Sequence, residues 1–158
     1  MQIIAFIRAL GIEVTEREMR RATLVPGIDI EGGGLIVEEA RLCKPADLLH
    51  EAGHIALTPI AQRAALDGTV GTSAAEELST IAWTWAAAKH LGIDPGEVFH
   101  EEVISGNGPT LLENFAAGRY VGVPMLRYWG MTLSEEYPHM LRWTRDGGAT
   151  PRTHLHLY

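Results

Sequence analysis

The chain has 158 residues, of which 46% are hydrophobic and 21% charged, and its formal net charge at pH 7 is −7. This length and composition are typical of a globular protein with a core of its own, so we expect one domain over residues 1–158. The acidic balance argues against nucleic acid as a partner.

The spacing of apolar residues over 1–21 indicates the first elements. It predicts a helix, a break at Gly11 and a second short helix from Thr15, where Thr15 and Glu18 match the Thr-x-x-Glu capping box. Three arginines follow among glutamates and are interpreted as the solvated face of that helix: Arg17, Arg20 and Arg21. The apolar run at 3–7 is too short to span a bilayer and lacks the basic start of a signal peptide. We therefore expect a cytoplasmic protein without a membrane partner.

Strand chemistry follows over residues 23–37. Segments 28–30 and 35–37 are rich in β-branched residues, and the glycines at 32–34 favour a turn between them, so the sequence predicts a β-hairpin. The glycine run is not a phosphate loop, because no lysine follows at the required spacing. The hairpin either covers the core or presents an edge strand that can hold an extended peptide, and the sequence leaves both open.

Residues 50–54 read His-Glu-Ala-Gly-His, the HExxH pattern, within a mostly apolar stretch. Three flanking residues predict that this stretch is a helix. Pro45 fits the first helical position, Asp47 suits the positive end of the helix dipole, and Pro59 ends or kinks the helix.

The pattern carries chemistry because it places two imidazoles and a carboxylate on one helical turn. Residues four apart share a helix face, so His50 and His54 can bind one ion, and Glu51 can take a proton from a water on that ion. This is the arrangement of ligands and base in a zinc hydrolase. The alternative is a surface helix whose histidines face solvent. Cys43 is the only cysteine, which excludes a thiolate zinc cluster, and we interpret it as a small core residue.

A third protein ligand is needed, because a catalytic zinc usually has three and leaves the fourth position to water. The next helical stretch, residues 74–88, begins with Glu76 and Glu77, and the interval from His54 allows an antiparallel return. Glu77 is favoured because it lies nearer in angle to the apolar residues, whereas Glu76 has Thr80 one turn on as a hydrogen-bond partner. The alternative, an acidic first turn that suits the helix dipole, must hold for one of the two.

The second half of the chain is predicted to be helical. We expect a short helix from Glu97 to residue 104 and another that opens at Pro109 and ends at Gly118. The aromatic stretch 120–131 is either a packing helix or part of a pocket wall. The predicted class is therefore α+β, mostly helical, with a small β-hairpin or sheet packed on the HExxH helix and the following glutamate-bearing helix.

The order of these elements resembles the minimal gluzincin metallopeptidases, above all the ImmA/IrrE-like group, over residues 27–88. In that group the third ligand is followed by a small residue three positions on, an aromatic residue six on and a small residue seven on. Counted from Glu77, these positions hold Thr80, Trp83 and Thr84. Counted from Glu76 the match is poorer, and Ile81 stands where the group commonly has asparagine. The resemblance implies a zincin-like core, a Zn²⁺ cofactor and peptidase activity.

Two functions fit these features. In the first, the chain is a zinc-dependent hydrolase, a peptidase acting on a peptide or protein substrate. His50, His54 and Glu77 (alternatively Glu76) hold Zn²⁺, and Glu51 is the general base. In the second, the chain is a metal-binding regulatory or interaction module with little turnover, whose aromatic C-terminal region docks a partner or forms a homo-oligomer.

Peptide hydrolysis also needs a donor that stabilises the oxyanion, commonly tyrosine, histidine or arginine. The C-terminal half offers six such residues, which the sequence does not rank: His100, Arg119, Tyr120, Tyr128, Tyr137 and His139. A module without turnover would instead complete the zinc site with a fourth protein ligand, for which the tail offers His154 and His156.

Overall fold

The computed structural model describes residues 2–23, 25–68, 73–99 and 108–145. The elements follow in chain order as α1 (Gln2–Ala9), β1 (Val14–Glu16), β2 (Ile28–Glu31), β3 (Gly34–Val37), α2 (Asp47–Ala56), α3 (Ile60–Arg63), α4 (Ala74–Leu91), α5 (Gly108–Ala116) and α6 (Val123–Tyr128). Short 3-10 turns lie at Glu39–Arg41 and Pro95–Glu97. Among the described residues, helices including the 3-10 turns hold 47% and strands 10%, so the predicted α+β, mostly helical class is confirmed.

The strands form one mixed sheet in the order β1-β3-β2. β2 and β3 pair antiparallel through a tight turn between Glu31 and Gly34, which confirms the predicted hairpin. Gly33 in this turn has a φ of +79° and lies so close to the backbone of Arg63 that a side chain would clash there. Its N–H donates to the carbonyl of Leu66 (3.1 Å), which fixes the hairpin turn beside the end of α3.

The predicted second helix at Thr15 is wrong, because this segment is strand β1. Val14 pairs with Leu35 and Thr15 with Ile36 in parallel register, and the Val14 side chain is buried. The local capping pattern therefore loses to a long-range ladder of backbone hydrogen bonds together with burial of Val14.

The arginines that follow β1 lie across the polar face of the sheet, not on a solvated helix face. Arg17 pairs with Glu31 at 2.6 Å, and the guanidinium of Arg21 donates to both carboxylate oxygens of Asp29 at 2.9 and 3.1 Å. The strand carboxylates therefore neutralise two of the three arginines, and the sheet presents a mixed-charge surface there.

Helices α2 and α4 cross at Gly53, which brings their backbones close together. A Cβ atom at Gly53 would lie 3.0 Å from Cγ2 of Thr80 and 3.0 Å from Cε3 of Trp83. Both Thr80 and Trp83 are buried, with exposed fractions of 2% and 0%. The absence of a side chain at Gly53 thus sets the distance between the two helices that carry the candidate site.

The second half of the chain continues with α5, as predicted at Pro109. Leu111 and Phe115 of α5 are buried, and Gly118 follows the helix with a φ of +81°. The aromatic stretch contains α6, so its prediction as a packing helix holds for Val123 and Leu126, which are buried. The predicted helix from Glu97 is wrong at its start, where Pro95–Glu97 is a 3-10 turn, and from residue 100 it lies outside the described residues.

The last described residues tie the chain to α2 and α4. The Trp143 ring packs on the rings of Phe6 and Trp83 at 5.2 and 5.7 Å between centroids, and the indole N–H of Trp83 donates to the Trp143 carbonyl at 2.8 Å. The guanidinium of Arg145 stacks over the ring of Trp129, 4.2 Å from its centroid. The backbone N–H of Arg145 donates to the carbonyl of Ala56 at 2.7 Å. Among the helices that the structure describes, none combines the length and apolar character needed to cross a bilayer.

Candidate metal centre

The HExxH residues lie in α2, as the sequence predicts. The carbonyl of Pro45 accepts the N–H of Leu48 in a turn that leads into the helix, and Thr58 Oγ1 donates to the carbonyl of His54 at its end. His50 and His54 are 3% and 8% exposed, so the alternative of two histidines facing solvent does not hold.

The two glutamates at the start of α4 have different surroundings. Ser73 caps the helix: its Oγ accepts the N–H of Glu76 at 3.2 Å and donates to the Glu76 carboxylate at 3.0 Å. Glu76 is exposed and belongs to this cap, which is the role that the dipole alternative requires of one glutamate. Glu77 faces α2, with Oε1 3.2 Å from His50 Nε2 and Oε2 3.4 Å from His54 Nε2.

His50, His54 and Glu77 form a cluster of three candidate ligands. The two Nε2 atoms are 3.1 Å apart, with the ring planes at 84° to each other. One atom from each of the three side chains lies within 4.8 Å of the other two, so the group could hold a metal ion. Cys43 is not in this group; its side chain is exposed, and its interpretation as a core residue is wrong.

The electrostatics favour an uncharged His54. Burial and, to a smaller extent, the neighbouring His50 lower the pKa of His54 from 6.5 to about 4, while Glu77 opposes the shift. At neutral pH, His54 is therefore a neutral imidazole with one bare ring nitrogen, which is the form that binds a metal. Its contact with Glu77 is not an ion pair under these conditions.

Glu51 is half-buried on the same helix. Burial raises the pKa of the Glu51 carboxyl above its usual value, His50 opposes this, and the carboxylates of Glu77 and Asp47 add to the rise. A carboxylate with a raised pKa is a stronger base, so the surroundings of Glu51 suit the uptake of a proton.

Two further residues belong to the site in ways that the sequence did not indicate. Thr80 lies against His54, with Oγ1 3.4 Å from Nδ1, and its hydroxyl donates to the backbone carbonyl of Glu76 and not to a ligand carboxylate. Asp47 is 2% exposed in the first turn of α2. Asp47 lies four residues before Glu51 and therefore on the same face of α2. This spacing in the sequence was a signal that Asp47 lies beside Glu51, in addition to its favourable position at the positive end of the helix dipole.

The candidate oxyanion donors lie away from this cluster wherever the structure describes them. The hydroxyl of Tyr137 is buried and donates to the Ala82 carbonyl at 2.7 Å, and Tyr120 packs on the Tyr137 ring at 4.7 Å between centroids. Tyr128 is 80% exposed, whereas Arg119 and His139 lie at the surface. The hydrogen bonds and ring contacts described for these residues do not include either histidine. The sixth candidate donor, His100, lies outside the described residues, as do His154 and His156, the candidates for a fourth zinc ligand.

Comparison of the chain with protein-family models, curated proteins and solved structures finds no match in any of the three.

Proposed function

We propose that the chain is a zinc-dependent hydrolase, a peptidase of the ImmA/IrrE-like gluzincin kind acting on a peptide or protein substrate. The observation that carries the proposal is the convergence of His50 Nε2, His54 Nε2 and the Glu77 carboxylate in one cluster, in which the two histidines are buried and Glu77 is partly exposed. The HExxH helix and the carboxylate of a following helix supply the donor set that a catalytic zinc takes.

The spacing of the candidate ligands supports a tetrahedral ion. Bonds of about 2.0–2.1 Å place neighbouring ligand atoms of a tetrahedral zinc about 3.3–3.4 Å apart. The observed separations are 3.1 Å between the two imidazole nitrogens and 3.2 and 3.4 Å from these to the Glu77 oxygens. Two imidazoles favour zinc over magnesium or calcium, which prefer oxygen ligands.

Zinc, when bound, acts as a Lewis acid and lowers the pKa of a water that it binds. The protein's own contribution begins with three ligands, which leave a fourth position for water or substrate. Glu51 then takes a proton from the attacking water and passes it to the leaving amine. The burial that raises the pKa of Glu51 helps the first of these steps, because it makes the carboxylate a stronger base.

One observation favours the second candidate, a metal-binding regulatory or interaction module. Within the described parts of the chain, no candidate oxyanion donor contacts the cluster, so these residues provide ligands and a base without an evident electrophilic partner. Such a module would bind zinc with the same three ligands and show no turnover.

Three variants test the proposal. Glu51→Gln should keep stoichiometric zinc and lose hydrolysis of a peptide library, because the amide cannot take the proton. Glu77→Gln should lower zinc affinity, whereas Glu76→Gln should retain it as a matched control, since Glu76 only caps α4. Wild-type zinc binding without hydrolysis of any library peptide would favour the module. Hydrolysis by Glu51→Gln at the wild-type rate would exclude the proposed base.

A further inference from the structure

We infer that Thr80 is a positioning residue that holds His54 in the tautomer with its proton on Nδ1 and a bare Nε2. The inference rests on the proposed metal site, because a bare Nε2 is what a metal ligand must offer. Thr80 lies in α4, whereas the ligand that it would hold, His54, lies in α2.

The Thr80 hydroxyl has a single proton to donate. Oγ1 lies 3.1 Å from the carbonyl oxygen of Glu76, one turn earlier in α4, and donates to it. The hydroxyl then has only lone pairs left for its other neighbour, which is Nδ1 of His54 at 3.4 Å. A bare Nδ1 would face those lone pairs without a proton between them. With the Thr80 proton on the Glu76 carbonyl, the contact is a hydrogen bond only when Nδ1 of His54 carries the hydrogen.

The other side of the ring fits the same assignment. His54 Nε2 lies 3.1 Å from His50 Nε2, and two bare nitrogens at this distance would repel each other. With His54 Nε2 bare, the proton lies on His50 Nε2, which has two acceptors in reach: His54 Nε2 and Oε1 of Glu77 at 3.2 Å. The hydrogen bonds then form a chain in which each group donates to the next: His50 donates to His54, His54 donates to Thr80, and Thr80 donates to the Glu76 carbonyl.

His50 has no equivalent support in the described parts of the chain. Its Nδ1 atom is buried, and no described residue forms a hydrogen bond with it. In the metal-free protein this nitrogen is the bare one, which is consistent with the lack of an acceptor beside it. The two histidines are thus inequivalent: His54 is prepared as a ligand, whereas His50 must move its proton from Nε2 to Nδ1 to become one.

The chain offers a matched control for Thr80 one turn further along α4. Thr84 is also fully buried, and its hydroxyl donates to the carbonyl of Thr80 at 2.8 Å. No described hydrogen bond joins Thr84 to either histidine. Thr80→Val and Thr84→Val therefore remove the same group from the same helix, but only the first touches His54. Thr80→Ser keeps the hydroxyl and should behave as wild type.

The first measurement is long-range ¹H–¹⁵N NMR of the imidazole nitrogens in the metal-free protein, which reads the tautomer of each histidine. We expect the Nδ1–H form for His54 in wild type, Thr80→Ser and Thr84→Val, and a shift towards Nε2–H in Thr80→Val. A merely structural role for Thr80 would leave this tautomer unchanged. Nε2–H on His54 in the wild-type protein would overturn the inference.

The second measurement is zinc affinity by competition with a chromophoric chelator. Loss of a partner that orients a ligand typically weakens metal binding about 10- to 100-fold, and we expect a loss of that order for Thr80→Val alone. Equal affinities of Thr80→Val and wild type would refute the positioning role while leaving the metal site intact. If wild type takes up no zinc at all, the proposed function fails, and the role of Thr80 towards a metal fails with it. The NMR result then reports only the hydrogen bond.

Discussion

Replacing Gly53 with alanine should disturb the metal site through the helix contact, although Gly53 is no ligand. The new Cβ would lie 3.0 Å from Thr80 Cγ2 and 3.0 Å from Trp83 Cε3. An unstrained carbon–carbon contact is about 3.5–4.0 Å, so α4 or both side chains must retreat by about 0.5–1 Å. Glu77 lies one turn before Thr80, and a shift of this size would lengthen its separations of 3.2 and 3.4 Å from the histidines.

The stability effect of Gly53→Ala is a difference between two contributions of opposite sign. Overpacking a core contact costs about 1–3 kcal/mol, whereas alanine in place of glycine within a helix gains about 1 kcal/mol. We therefore expect a net loss of about 0–2 kcal/mol in the free energy of unfolding, measured by urea denaturation of the metal-free protein.

Zinc affinity is the more discriminating readout for Gly53→Ala. We expect it to fall about 10-fold or more, because the ligands no longer meet at tetrahedral separations. Tyr137→Phe is a suitable control, since it loses stability in the same range at a site that does not touch the ligands. Wild-type zinc affinity in Gly53→Ala would show that this close crossing does not set the geometry of the site.

Three further predictions concern groups around the site. In the metal-free Glu51→Gln variant, His54 should contribute fully to the free energy of unfolding above pH 6.5 and lose this contribution as the pH falls towards about 4, because its pKa is lowered in the folded state. The contribution is measured as the difference in unfolding free energy between Glu51→Gln and the Glu51→Gln/His54→Gln double variant. A difference that does not change with pH would contradict the prediction. Arg145→Ala should cost about 1–2 kcal/mol by urea denaturation, because its guanidinium bonds the Leu57 carbonyl at the end of α2 and stacks on Trp129; an unchanged midpoint would show that the contact is not stabilising. Tyr137→Phe should cost about 1–2 kcal/mol through the lost bond to the Ala82 carbonyl and leave zinc affinity and any turnover unchanged, so that a fall in turnover at constant zinc affinity would return Tyr137 to the candidate oxyanion donors.

The elements with local signals were predictable from the sequence. The HExxH helix is marked within a few residues by Pro45 at its start and Pro59 at its end, and α2 spans Asp47–Ala56 between them. The hairpin of β2 and β3 is marked by β-branched runs around a glycine turn. These signals depend only on residues that are close in the sequence, so they can be recognised without knowledge of the tertiary structure.

The features that depend on distant contacts were not predictable. β1 is only three residues long and is a strand because its backbone pairs with β3, while its own sequence matches a helix cap. The choice between Glu76 and Glu77 depends on the rotation of α4 against α2, since successive helix residues point about 100° apart. That rotation is set by the crossing at Gly53, which the motif itself does not reveal. The preference for Glu77 had a local basis as well, because Ser73 and Glu76 match a capping box that assigns Glu76 to the helix cap.

The most direct test of the account is a crystal structure of the full chain grown with one equivalent of zinc, with anomalous data collected on both sides of the zinc edge. We predict one strong anomalous peak per chain, with Nε2 of His50, Nε2 of His54 and a Glu77 oxygen about 2.0–2.2 Å from it. A zinc peak elsewhere, or no peak while these three side chains keep their positions, would contradict the claim that they bind one cation.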